Sequence, residues 1–165
     1  LNLIIWTIII YNGYKYNMDK KKKQQKYLCE LPSVKKIKKS KIIRFKNGAW
    51  QGIKSLPYKD KKGNWISIER FPLIKSDSIK FELRYFEIAP GGCSSLEYHK
   101  HSHVVICLKG KGKVRLGKKN YILKYLDILY IAPNEIHQLI NPFKEPFGFL
   151  CIVDSQRDKP VEINE

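Results

Sequence analysis

The sequence predicts an all-β fold, an antiparallel sandwich or barrel, preceded by a basic and partly flexible N-terminal segment. Three observations carry this prediction. From Ile66 onward no stretch shows the apolar period of about 3.6 residues that marks an amphipathic helix. Short apolar or alternating runs, about five residues each, recur instead, and turn signals cut the chain every eight to twelve residues or so. At 165 residues the chain has room for one domain with a respectable core.

The strands follow in order. "WISIERF" (65–71) alternates, as does "IKFELRYFEI" (79–88), which places Phe81, Leu83, Tyr85 and Glu87 on one face. "APGG" (89–92) breaks the chain. "HVVICL" (103–108), "KVRL" (113–116) and "YILK" (121–124) are separated by the turns "KGKG" and "GKKN". "DILYIA" (127–132), "HQLI" (137–140) and "FGFLCIV" (147–153) complete the set. Residues 1–46 read as the basic segment, 47–77 as an arm or edge strands packing on the barrel, and 78–165 as the barrel itself. No internal repeat is visible.

The net charge of +17 belongs to the N-terminus. Residues 20–46 hold twelve Lys/Arg against one acid, whereas residues 77–165 hold thirteen against eleven. A lysine-rich run is first of all a solvated tail, and nucleic acid is a partner open to it alone. No zinc-finger spacing and no aromatic RNA-binding motif accompany it. The opening "LNLIIWTIIIY" is too short to span a bilayer, so no stable membrane insertion is expected. Met18 is the sole methionine and directly precedes "DKKKK", which makes it the expected native start, with a weak membrane anchor in the opening run as the runner-up. Four cysteines (29, 93, 107 and 151) form no CxxC pair. They read as reduced thiols, and the chain as cytoplasmic.

"EYHKHSH" (97–103) holds three of the four histidines. In an extended strand Glu97, His99, His101 and His103 would share one face. Alternate residues of a straight strand stand about 6–7 Å apart, too far for all of them to meet at one ion. A turn or bulge between His99 and His103 would bring two of them together with the next strand. The remaining histidine, His137, lies on a strand-like run after "APNE". Three imidazoles with one carboxylate suit a divalent transition metal: Mn, Fe, Ni, Co or Zn.

These residues resemble the cupin superfamily. Its first motif sets a glycine, an HxH pair, a glutamate and a second glycine at fixed spacing. Gly92 and Gly110 stand as the glycines here, Glu97 and His99 align with the HxH pair, and His103 takes the usual glutamate position. The second motif is matched at Asp127, Ile131, Pro133, His137 and Asn141. It departs at Leu126, Ala132 and Asn134, where glycine, proline and glycine are usual. Asn tolerates positive φ, so Asn134 is a workable replacement. The resemblance covers roughly 78–153 and implies a double-stranded antiparallel β-helix, the jelly-roll barrel. It implies the metal ligands Glu97, His99, His103 and His137, and leaves His101 at the rim or as a partner of a ligand. Homodimers paired through edge strands are a further implication.

A mononuclear metal enzyme acting on a small molecule, such as a dioxygenase or isomerase, is the first functional reading. A non-catalytic small-molecule-binding or sensor barrel is the alternative. Inward residues of the alternating strands would line the pocket, with His101, Phe81, Tyr85, Val105, Tyr130 and Phe149 as candidates.

Overall fold

The structure, a computed structural model, describes residues 36–58 and 65–163. The apolar run 1–11, Met18, Cys29 and the basic stretch up to residue 35 lie outside the described residues. Thirteen strands are present: β1 (Phe45–Lys46), β2 (Ala49–Trp50), β3 (Leu56–Pro57), β4 (Ile66–Ile74), β5 (Phe81–Cys93), β6 (Glu97–Tyr98), β7 (His103–Lys109), β8 (Lys111–Leu116), β9 (Lys119–Lys124), β10 (Ile128–Ile131), β11 (His137–Ile140), β12 (Phe147–Asp154) and β13 (Val161–Glu162). Among the described residues no helix is long and apolar enough to cross a membrane.

Every strand pairing is antiparallel, and the strands form two wings of a nearly closed barrel, the jelly roll that the resemblance implies. One wing runs β3-β4-β5-β12-β7-β10 and the other β9-β8-β11-β6-β13; they meet where Ile140 of β11 pairs with Cys93 of β5. β1 and β2 form a separate hairpin. Residues 66–74 pair with β5 along most of their length, so they extend the sheet.

"APGG" bends the chain rather than breaking it, and β5 runs through to Cys93. Gly91 takes φ +78°, which a side chain would resist, and a Cβ on Gly92 would stand 2.6 Å from the Ile66 carbonyl oxygen. The two glycines therefore let one strand pass from the first wing to the second. Asn141 locks this corner. It is fully buried, donates to the carbonyls of Ile88 and Glu145, and accepts from the Phe143 N–H.

The inner face of β5 is the other phase from the one its apolar residues predict. Glu82, Arg84, Phe86 and Ile88 are buried, and the last two join the core with Val105, Cys107, Phe149, Cys151 and Val153. Phe81 is 42% exposed and Tyr130 is 60% exposed, so neither lines the interior as expected. Tyr85 is buried on the outer face, packed against Trp50 and Phe71, and its hydroxyl donates to Glu87. Two charged side chains at 82 and 84 disguise the inward phase: with Glu and Arg there, the apolar count favours the wrong face. Val105 and Phe149 do face inward, Phe149 stacked on Phe86 at 5.5 Å between centroids.

Candidate metal centre and its surroundings

β6 ends at Tyr98 and β7 begins at His103, with a bend at Lys100 and His101 between them. That bend folds His99 back toward His103. His137 opens β11, directly across the ladder from Glu97. One ring nitrogen from each of His99, His103 and His137 lies within 4.8 Å of the others, a group that could hold a metal ion. The three rings meet edge to face, with centroids 4.8 to 5.2 Å apart.

The surroundings of these rings fit a metal. His99 Nδ1 lies 2.7 Å from the His101 carbonyl oxygen and His137 Nδ1 2.9 Å from that of Glu135. A carbonyl can only accept, so both Nδ1 atoms carry the proton and both Nε2 lone pairs are left for an ion. His103 Nδ1 contacts Cys151 Sγ at 3.3 Å, while its Nε2 is buried with no hydrogen-bond partner. A buried, unpaired imidazole nitrogen beside two lone pairs is costly unless something ligates it. Burial holds the pKa of His103 well below the usual histidine range, reinforced by His137 and His99. Burial lowers that of His137 too, against the pull of the Glu135 carbonyl. Neutral imidazole is the ligating form.

Glu97, the fourth ligand that the resemblance implies, is not among the three residues of this group. The Glu97 carboxylate is buried, accepts the Ser95 hydroxyl, and favours the cationic form of His137. His101 stacks flat on His99, 3.7 Å between centroids and 7° between planes. Its Nδ1 lies 2.7 Å from Asp158 Oδ1, and Asp158 also accepts the backbone N–H groups of Lys100 and His101. Burial is the main reason the His101 pKa lies below its ordinary value.

Four residues around the centre had not been singled out in the sequence. Asp158 lies in an irregular tail with no local signal. Cys151 reads as a small core residue, yet its Sγ bridges His103 Nδ1 and Arg84 Nη2, at 3.3 and 3.2 Å. Arg84 and Arg70 are buried on the inner wall. Their signal was available: a charge in the middle of an apolar strand.

The comparisons with known proteins agree with this architecture. Residues 84–153 match the cupin domain family. Over 112 residues, 67% of this chain and 72% of the relative, the chain is 39% identical to 1-methylthio-D-xylulose 5-phosphate methylsulfurylase of Rhodospirillum rubrum. A cupin-2 domain crystal structure from Rhodospirillum rubrum is 34% identical, covering 80% of this chain and 84% of that one with a TM-score of 0.67. A cupin 2 conserved barrel domain protein from Rhodopseudomonas palustris is 31% identical, covering 73% and 84% with a TM-score of 0.69. With its barrel, its histidine cluster and these relatives, the chain belongs to the cupin family.

Proposed function

We propose that this chain is a mononuclear metal enzyme acting on a small sulfur-bearing ketose phosphate, the class of compound named in its Rhodospirillum rubrum relative. The observation that carries the metal reading is the convergence of three histidines whose Nδ1 atoms are engaged, leaving Nε2 for an ion. A divalent ion on three neutral imidazoles keeps its full charge and supplies Lewis acidity, polarising a carbonyl or hydroxyl oxygen. The chain's own residues hold the ligand rings in one tautomer, and the apolar inner wall of Val105 and Phe149 limits water beside them.

The test has two readouts. Purified protein is expected to carry about one divalent metal per chain, and His137→Ala or His103→Ala to lower that content by tenfold or more. His101→Ala keeps the backbone carbonyl that His99 uses, so its metal content is expected to match wild type. Metal-loaded protein incubated with 1-methylthio-D-xylulose 5-phosphate and a thiol reductant is then followed by phosphorus NMR. Wild-type protein that holds no metal, or loaded protein that leaves this compound unchanged, overturns the proposal.

A further inference from the structure

The inner wall of β4 and β5 carries more positive charge than its neighbours neutralise. Among the described residues Glu82 is the carboxylate that faces this wall, and it is already ion-paired on both oxygens: Lys75 Nζ lies 2.9 Å from Oε1 and Arg157 Nη1 3.0 Å from Oε2. Among the described residues, no carboxylate lies within ion-pair distance of Arg70 or Arg84. They are 4% and 7% exposed, and among the described residues the Nε of each is buried without a hydrogen-bond acceptor.

What these guanidiniums do touch does not balance them. Arg84 donates to Cys151 Sγ and lies over the Phe86 ring at 5.2 Å. Arg70 lies over the Tyr58 ring at 5.1 Å, and Tyr58 packs on Phe86. A thiol is a weak acceptor, and an aromatic face contributes about 1–2 kcal/mol. An unpaired buried charge costs several times that. The sites are close: Arg70 pairs with Phe86 and Arg84 with Pro72 in the β4–β5 ladder, so the arginines are diagonal neighbours on one face. Arg84 is also one sulfur atom from His103. A divalent ion on three neutral histidines would add still more positive charge to the same interior.

We infer that Arg70 and Arg84 form the subsite for a phosphoryl group, holding the dianionic end of the substrate beside the metal centre. The inference rests on the proposed function for the substrate's other end, and adds where its charge is bound. Two planar guanidiniums match a phosphate dianion in both charge and donor geometry, and the unmet Nε donors become hydrogen bonds on binding. Burial lowers the Arg70 pKa, whereas at Arg84 burial is outweighed by Cys151, Tyr58 and Glu82, which raise it.

Calorimetry on metal-loaded wild type, Arg70→Met and Arg84→Met tests this with D-xylulose 5-phosphate, neutral D-xylulose and inorganic phosphate as probes. Wild type is expected to bind the phosphorylated ketose at least tenfold more tightly than the neutral one, with inorganic phosphate competing. Each Met variant should weaken the phosphorylated ketose by about tenfold or more and leave metal content unchanged, since charged hydrogen bonds contribute about 1.5–3 kcal/mol each. The N-terminal lysines are common to all three proteins, so the difference reports the interior. Equal wild-type affinity for the phosphorylated and neutral ketoses overturns the inference, as does no response to inorganic phosphate or unchanged affinity in both variants. If a Met variant does not fold, the wild-type comparison decides alone. Protein that binds phosphate through these arginines but holds no metal would sink the metal enzyme and leave the subsite standing. Metal without phosphoryl preference would do the reverse.

Discussion

Leu126 and Asn134 occupy left-handed backbone, at φ +65° and +63°, at two positions where the family's second motif sets glycine. The turn geometry has been kept while the residue suited to it has changed. Asn bears this conformation readily, but Leu pays about 1–2 kcal/mol for it. The Leu126 side chain is 59% exposed, so little packing offsets the strain. Leu126→Gly is therefore expected to stabilise the chain by about 0.5–1 kcal/mol, a gain visible in urea unfolding as a higher midpoint at unchanged slope. Spacing alone left open which of the alternating residues 97–103 meet His137, and the cupin resemblance selected His99 and His103 over His101. Neither fixes where the Glu97 carboxylate points. A carboxylate on the right face can point at an ion or turn back to Ser95, and that rotamer is decided by its packing.

At the level of elements, residues 155–163 strap across the barrel through two carboxylates. Asp158 binds Lys100 and His101, and Arg157 reaches Glu82. Burial pushes both carboxyl groups up, but for Glu82 the charges of Arg157 and Lys75 outweigh it. For Asp158 the Lys100 N–H and His101 do so, and both groups sit below their ordinary range. A depressed carboxylate pKa contributes stability that is present above the unfolded value and lost as pH falls through the folded one. Protection against hydrogen exchange in 155–163, taken relative to the intrinsic rate at each pH, should hence be flat near neutrality and fall below about pH 4. Arg157→Ala leaves Glu82 with Lys75 as its ion-pair partner and is expected to cost about 2 kcal/mol, lowering Tm by about 4–8 °C. The strap was not legible in "SQRDKP", since its contacts are to residues more than fifty positions away. β5 was legible as a strand but not in phase, because Glu82 and Arg84 occupy inward positions that apolar residues normally fill.

For the whole molecule, β10 is an edge strand, and Ile128, Tyr130, Tyr121, Ile122 and Tyr125 leave an apolar surface around it. An edge of this kind invites a second copy of the chain. Sedimentation is expected to show a dimer in solution, and Ile128→Lys, which sets a charge on that edge, to shift it to monomer. The cupin resemblance supplied the three histidines that converge, while the residues alone carried the all-β class and nearly every long strand. These follow from local periodicity and turn chemistry, which are written within a few residues of each position. Tertiary contacts alone set Asp158 against His101 and bury Arg70 and Arg84 on the inner face of the barrel. Each of those depends on which face of a strand is inward and on partners distant in the chain, and a buried charge at a functional site inverts the pattern from which the inward face is read.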